Sequence, residues 1–317
     1  MSEFDVITRY FDRPTRYTNL GVGDDAALLR VSAGMSLAVS ADMLVSGTHF
    51  FPDTDAFKLG WKSLAVNISD MAAMGAMPKW ATLALALPQR NDEWLEAFSQ
   101  GFFACADAFS VDLIGGDTTQ GALTIAIQIM GEIPLNQELK RNSACAGDDI
   151  WVSGTLGQAA LGLAHLQNKV VLEDQQLLSC LNALYTPQPR VDLGLAIRNV
   201  AHSAIDISDG LLAELGHITK ASNVGATVQL YDVPCASFMK TKIDTPLYQQ
   251  CILAGGDDYE LCFTAPQQAR QKIQEIGTNL QIDLTIIGQI TTTSDIKIYD
   301  GKNRTMQFTR YGYDHFA

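Results

Sequence analysis

The chain has 317 residues, more than one ordinary core holds, so two domains are expected. Apolar residues make up 47% against 18% charged, which excludes a disordered chain and allows a sizeable core. Acidic residues number 35 against 22 basic ones, and the net charge of −13 repels DNA, RNA and anionic membranes, leaving neither nucleic acid nor membrane as an expected partner.

The opening Met-Ser-Glu-Phe-Asp lacks a basic and then apolar leader, and no apolar run approaches ~20 residues, so a soluble, cytoplasmic protein is expected. Apolar runs at 36–41 and 82–87 have strand length. Residues 122–133 alternate, with Leu123, Ile125, Ile127 and Ile129 on one face. Helices are predicted over 55–74, closed by Gly75 with Pro78 beyond, and over 91–109. This order predicts an α+β domain over 1–135 with a mostly antiparallel sheet. After an aperiodic break at 134–147, strands are predicted at 149–153, 204–207, 226–230, 260–264 and 284–290. Helices lie between them, including 158–167 and 211–222. Residues 136–317 thus read as an α/β domain, a mixed sheet flanked by helices.

The six cysteines form no CxxC pair and sit mostly in apolar surroundings, which points to reduced, buried thiols rather than disulfides or zinc. Gly21-Val22-Gly23-Asp24-Asp25-Ala26 matches GxGxxA, but no clear strand precedes it. Two carboxylates also occupy the place of a dinucleotide pyrophosphate, so a Rossmann reading fails. There is no GxxxxGK[ST], GxSxG or HExxH, and the histidines are dispersed; His165 reads as a surface or packing residue.

The informative pattern is the placement of aspartates at the ends of apolar runs, usually beside glycine. Asp24-Asp25, Asp117, Asp209 and Asp257-Asp258 fall this way, and Asp42, Asp70 and Asp206 end apolar runs without an adjacent glycine. Any one alone is a turn. Six together suggest converging carboxylates that need cations, and hard oxygen ligands select Mg²⁺ or Ca²⁺. Asp70 follows Ser63 and Asn67 along one face of an otherwise apolar, buried helix, which calls for a metal or a salt-bridge partner. Asp209-Gly210 opens a helix, where Ser208 or Asp209 could cap the first turn and phosphate could also bind. Lys58 and Lys62 read as solvated.

These segments together resemble the thiamine-monophosphate kinase family, within the superfamily of aminoimidazole ribonucleotide synthetase and selenophosphate synthetase. The resemblance runs through Gly-Val-Gly-Asp-Asp-Ala-Ala at 21–27, Ser-Gly-Thr-His-Phe at 46–50 and Leu-Ala-Val-Asn-Ile-Ser-Asp-Met-Ala-Ala-Met-Gly-Ala at 64–76. It continues through Ile-Gly-Gly-Asp-Thr-Thr at 114–119, Asp-Ile-Ser-Asp-Gly-Leu at 206–211, Gly-Gly-Asp-Asp-Tyr-Glu-Leu at 255–261 and Gly-Tyr-Asp-His-Phe at 312–316. It implies ATP-dependent phosphorylation of thiamine monophosphate to thiamine diphosphate with several Mg²⁺ ions. It also implies a homodimer whose N-terminal sheets pair, with the C-terminal domain covering the site. On it, Asp25, Ser40, Asp42, Asp70, Asp117, Asp206 and Asp209 are the metal set, and Gly116, Asp117, Arg141 and Ser208 are the nucleotide contacts. His49, Asp257 and Tyr313 are the thiamine-side contacts. Two positions depart from the family pattern: Ala41 stands for a threonine, and Asp257 for a glutamate with a longer arm.

The implied acceptor is a phosphate ester, whose second pKa near ~6 leaves it largely ionised at neutral pH, so no general base is expected. Catalysis then reduces to in-line positioning and charge neutralisation. The rival readings are another ATP-dependent activity of the superfamily and a non-catalytic divalent-metal scaffold. Selenide activation would want a reactive cysteine near the N-terminus, whereas the first here is Cys105.

Overall fold

The computed structural model describes residues 3–308 and 311–313. Asp314, His315 and Phe316 of the C-terminal motif lie outside the described residues. The chain divides into two compact units: the residues up to Met71 with Ala76–Asn136, and Ala72–Gly75 with the residues from Gln137 onward.

The first unit runs α1 (Glu3–Tyr10), β1 (Met35–Val45), α2 (Ala56–Ala73), β2 (Met77–Leu87), α3 (Asp92–Ala108), β3 (Asp112–Gln120) and β4 (Thr124–Pro134). The strands form one sheet in the order β1-β4-β2-β3, so β1 and β3 are its edges. The β1–β4 and β4–β2 pairs are antiparallel, and β2–β3 is parallel. Alternation in β4 buries Ile125, Ile127 and Ile129. Along α2, Leu59, Leu64, Ala65, Ile68 and Met71 are buried, as the apolar pattern requires. Helices α2 and α3 approach closely because glycines face the contact. A Cβ at Gly60 would lie 2.1 Å from the Phe98 carbonyl oxygen, and one at Gly101 only 1.8 Å from that of Phe57. Asn91 caps α3 by accepting from the Trp94 amide.

The second unit comprises β5 (Asp149–Ser153), α4 (Gln158–Leu166), α5 (Asp174–Tyr185), α6 (Val191–Ile197), β6 (Ser203–Asp206), α7 (Leu211–Ser222) and β7 (Gly225–Gln229). It continues with α8 (Ser237–Lys240), α9 (Pro246–Ala254), β8 (Leu261–Ala265), α10 (Arg270–Leu280), β9 (Leu284–Thr291) and β10 (Ile296–Tyr299). Its sheet has the order β10-β7-β9-β5-β8-β6, with one parallel pair, β10–β7. Every residue of β5 and β8 is buried, and Trp151 and Phe263 stack with ring centroids 6.1 Å apart. Leu211, Leu212, Leu215 and Ile218 of α7 share an apolar cluster with Ile150, Val152 and Cys262.

Two expectations change. Residues 112–120 form β3, although the sequence showed only an apolar run ending in Gly115-Gly116-Asp117; pairing with β2 overrides the weak strand preference of those residues. Lys62 is buried rather than solvated, because α2 packs on nearly all sides.

Candidate active site

The loop 21–27 and the Gly115–Thr118 stretch of β3 line a cavity of about 610 Å³ in the first unit. Asp24, Asp25 and Asp117 all line it, and among the described residues no lysine or arginine does. The Asp24 carboxylate accepts from the Asp25 amide at 2.9 Å, and the Asp117 carboxylate from the Thr118 amide at 2.9 Å. Gly116 has φ +149°, and a Cβ there would fall 1.8 Å from the Leu83 carbonyl oxygen, so only glycine permits this approach of β3 to β2. An edge strand carries main-chain N–H groups without ladder partners, which suit phosphate oxygens.

Two buried acids hold the loop at both ends. The Asp112 carboxylate accepts from the Arg16 amide at 2.5 Å and the Tyr17 amide at 2.7 Å, and the Arg16 guanidinium lies 3.3 Å away. Glu132 accepts from the Ser32 amide at 2.8 Å and the Lys79 ammonium at 2.6 Å. Between these anchors the Leu28 amide donates to the Leu20 carbonyl at 3.1 Å, closing the neck of the loop. Burial raises the Glu132 pKa, but Lys79 and Ser32 outweigh it and hold the net value below the ordinary glutamate range.

The remaining predicted residues of this unit gather at the other edge of the sheet. Ser40 donates to the Asp70 carboxylate, and Asn67 accepts from the Asp42 amide at 3.1 Å, tying β1 to α2. Asp70 is half-buried, not fully buried as the helix pattern suggested, because its face of α2 opens beside β1. Ser63 drops out of the polar stripe: its hydroxyl donates to the Gly60 carbonyl at 2.9 Å. β1 and β3 stand three strand spacings apart, about 14 Å, so Ser40, Asp42 and Asp70 form one group, and Asp25, Gly116 and Asp117 another. His49 Nδ1 accepts from the Val45 amide at 3.0 Å, which fixes the ring with its proton on Nε2.

In the second unit, Asp206 is buried at the end of β6, and Ser208 and Asp209 follow. Neither Ser208 nor Asp209 caps α7, because Gly210 occupies the cap position without a side-chain bond. Instead Glu214 reaches back, accepting from the Ser208 hydroxyl at 3.1 Å and the Asp209 amide at 3.2 Å; burial raises its pKa. Asp257 and Tyr259, with φ of +68° and +51°, are pinned by their amides to the Ser208 and Ile207 carbonyls, each at 2.8 Å. The Tyr259 hydroxyl donates to the Asp257 carboxylate at 3.1 Å. The Tyr313 amide donates to the Asp209 carbonyl at 3.1 Å. Ser208, Asp209, Asp257 and Tyr313 are thereby brought together. Arg141 is not: its carbonyl accepts from Ser222, at the far end of α7, about 18 Å along that helix from Ser208.

Residues 23–133 match the AIR synthase related protein N-terminal domain, and residues 145–301 the C-terminal domain of the same family. The chain is 44% identical to the thiamine-monophosphate kinase of Escherichia coli (strain K12), over 99% of this chain and 98% of that protein. The chain belongs to the thiamine-monophosphate kinase family. It is accordingly an enzyme, a kinase. The crystal structure of the thiamine-monophosphate kinase from Stenotrophomonas maltophilia K279a matches at a TM-score of 0.85 and 45% identity, over 93% of this chain and 94% of that one. A further structure, AaThiL complexed with AMPPCP and TMP, matches at a TM-score of 0.77 and 26% identity, over 98% of this chain and 96% of that one.

Besides the acids that were expected as ligands or substrate contacts, this member of the kinase family has further acids that support the site. Asp112 and Glu132 anchor the glycine loop, and Glu214 braces the Ser208 turn. Both carboxylate oxygens of Asp258 accept from the Gly157 amide, at 2.9 and 3.0 Å, and burial pushes the Asp258 pKa well above the ordinary aspartate value. Glu260 takes a bidentate contact from Arg190, at 2.6 and 2.5 Å, and a bond from the Ser153 hydroxyl. An acid embedded in an apolar strand, such as Asp112 between Val111 and Leu113, is the signal that could have found them.

Glu132 also yields a test. With its folded pKa below the unfolded one, its contribution is present above pH ~4.3 and is lost as pH falls through the folded value. Glu132→Gln should therefore destabilise the protein by about 1–3 kcal/mol at pH 7. The gap from wild type should narrow steadily below pH ~4 in urea titrations. A gap that stays constant from pH 7 down to pH ~3 would refute the ion-pair account.

Proposed function

We propose that the chain transfers the γ-phosphoryl group of ATP directly, in line, to the phosphate of thiamine monophosphate, giving ADP and thiamine diphosphate, with several Mg²⁺ ions. The observation that carries this reading is a cavity lined by three aspartates and, among the described residues, no basic one, in a member of a kinase family. A relative complexed with AMPPCP and TMP supports the substrate pair. Such a cavity repels a nucleotide on its own, since two unit charges 4 Å apart interact by about 4 kcal/mol at an effective dielectric of 20.

The donors are hard oxygens, which fit Mg²⁺. Asp25, Ser40, Asp42, Asp70 and Asp117 of the first unit, with Asp206 and Asp209 of the second, would hold it. Mg²⁺ bound there supplies neutralisation of phosphate charge. The protein orients these acids: Ser40 fixes one Asp70 oxygen, and the Asp112 and Glu132 anchors set the position of the loop carrying Asp25. Gly116, Asp117 and Ser208 are the proposed nucleotide contacts, along with Arg141. Because Ser208 and Arg141 flank α7 at opposite ends, they would touch separate parts of the nucleotide. His49, Asp257 and Tyr313 are the proposed thiamine-side contacts. Tyr313 offers an exposed aromatic face and Asp257 a carboxylate, both suited to a cationic thiazolium. The acceptor phosphate is ionised at neutral pH and needs no general base.

We further propose a cytoplasmic homodimer, with nucleotide and metal binding and dimerisation assigned to residues 1–135 and the covering role to 136–317. Met35, Leu37, Val39 and Met43 lie exposed along one face of the edge strand β1, an apolar stripe that a second copy would cover.

Three experiments test these statements. Incubation with Mg-ATP and thiamine monophosphate should give ADP and thiamine diphosphate, and Asp70→Asn should lower kcat more than ~100-fold with its thermal unfolding unchanged. Near-normal turnover of that variant at ordinary Mg²⁺ would remove Asp70 from the metal set. For direct transfer, enzyme mixed with γ-labelled ATP alone should retain no label after acid quench, and initial-rate plots should intersect. Labelled protein with parallel plots would instead establish a phosphoenzyme. Finally, light scattering should report a dimer that Val39→Glu with Met43→Glu converts to monomer; a wild-type monomer would overturn the assembly.

A further inference from the structure

We infer that Cys145, Asp148 and His202 form a binding site for one divalent transition-metal ion of the zinc class, apart from the aspartate-rich site. These residues lie 54 positions apart across the His202–Asp148 contact, yet their ligand atoms all fall within 4.8 Å of one another. Asp148 is 3% exposed, and its carboxylate accepts from the Cys145 amide at 2.9 Å and faces His202 Nδ1 at 2.9 and 3.0 Å. The Cys145 thiol is exposed and sits 3.6 Å from the Ser143 carbonyl, while the other five cysteines are buried.

The frame under these side chains is fixed. Asp148 and Gly147 exchange main-chain bonds with Ile290 of β9, each at 2.9 Å, and the Asp148 amide closes the turn onto the Cys145 carbonyl at 3.0 Å. The His202 amide donates to the Thr264 carbonyl of β8 at 2.8 Å. Ligands carried by elements already held in place lose little freedom when an ion binds.

The donor set decides which ion. One sulfur, one imidazole nitrogen and one carboxylate oxygen suit Zn²⁺ or Co²⁺, and three protein ligands leave a fourth position for water. Mg²⁺ prefers oxygen alone. A tetrahedral zinc centre spaces its ligand atoms by about 3.3–3.8 Å. His202 Nδ1 and the Asp148 oxygen must therefore part by under about 1 Å, and the exposed Cys145 side chain must swing inward. The thiol proton leaves to solvent as the ion enters, and the imidazole of His202 carries its single proton on Nε2 while Nδ1 takes the metal.

The role is structural. His202 directly precedes β6, whose last residue is Asp206, and four residues of strand place about 13 Å between them. An ion here cannot share a phosphate with Asp206. It would instead staple the segment 140–148, which carries Arg141, to the sheet.

The test uses the full chain, stripped of metal with a chelator and held in excess Mg²⁺ so that the aspartates are occupied. Calorimetric titration with ZnCl₂ should give one ion per chain, and CoCl₂ should produce a thiolate-to-cobalt absorption band. Cys145→Ser and His202→Asn should each weaken Zn²⁺ binding by at least about 30-fold and abolish or shift that band, with circular dichroism unchanged. The absence of a Zn²⁺ site beyond the Mg²⁺-protected aspartates would overturn the inference. So would binding that survives either substitution unaltered.

Discussion

Repulsion between carboxylates is the constraint under which this molecule is built. Its 35 acidic residues face 22 basic ones, so basic side chains cannot balance them all. The fold answers by dividing its acids into two kinds. Asp112, Glu132 and Glu260 are buried with arginine or lysine against them, and Asp258 is held by a main-chain amide. Asp24, Asp25 and Asp117 face a cavity in which no described residue is basic. The first kind stabilises the frame, and the second concentrates negative potential where a cation is wanted.

The division has a mechanical side. A glycine-rich loop is by nature adaptable, and Gly21 to Ala27 would wander if tied at one end only. Ties at both ends, to β3 through Asp112 and to β4 through Glu132, convert it into a defined wall. The same device recurs in the second unit. There Asp257 and Tyr259 hang from the Ser208 and Ile207 carbonyls, so two motifs about 50 residues apart move as one piece.

Periodicity made much of this fold legible. Residues 149–153 and 211–222 are expected as strand and helix, and β5 and α7 occupy those spans, because a short run with an apolar centre and a 3.6-residue period leave few alternatives. The expected helix over 55–74 is α2, one residue shorter at each end. β3 was invisible as a strand, since glycine and aspartate signal turns and only β2 beside it makes the difference. At the site, Gly-Asp pairs marked the acids that line the cavity, but lone acids in apolar strands, such as Asp112 and Glu132, passed without notice. Nor could sequence show that the aspartates of the first unit fall into two groups at opposite sheet edges. Cys145 and Asp148, with His202 far along the chain, present no spacing that a thiol-pair search would flag; only the turn onto β9 and the strand start at β6 bring them together.

The left-handed backbone at Asp257 and Tyr259 has a consequence for how this sequence can drift. Holding a non-glycine residue there costs of order 1–3 kcal/mol. Glycine at Asp257 would relieve that strain at the cost of the carboxylate, whereas Tyr259 is buried and its ring offsets its own strain while its hydroxyl steadies Asp257. Selection for robustness alone therefore pulls position 257 toward glycine, and only the work of the carboxylate opposes it. Were that work to lapse, in a duplicated copy freed of its substrate for instance, Asp257 should be among the earliest residues to erode, well before the buried ring of Tyr259 and the apolar strand that follows it.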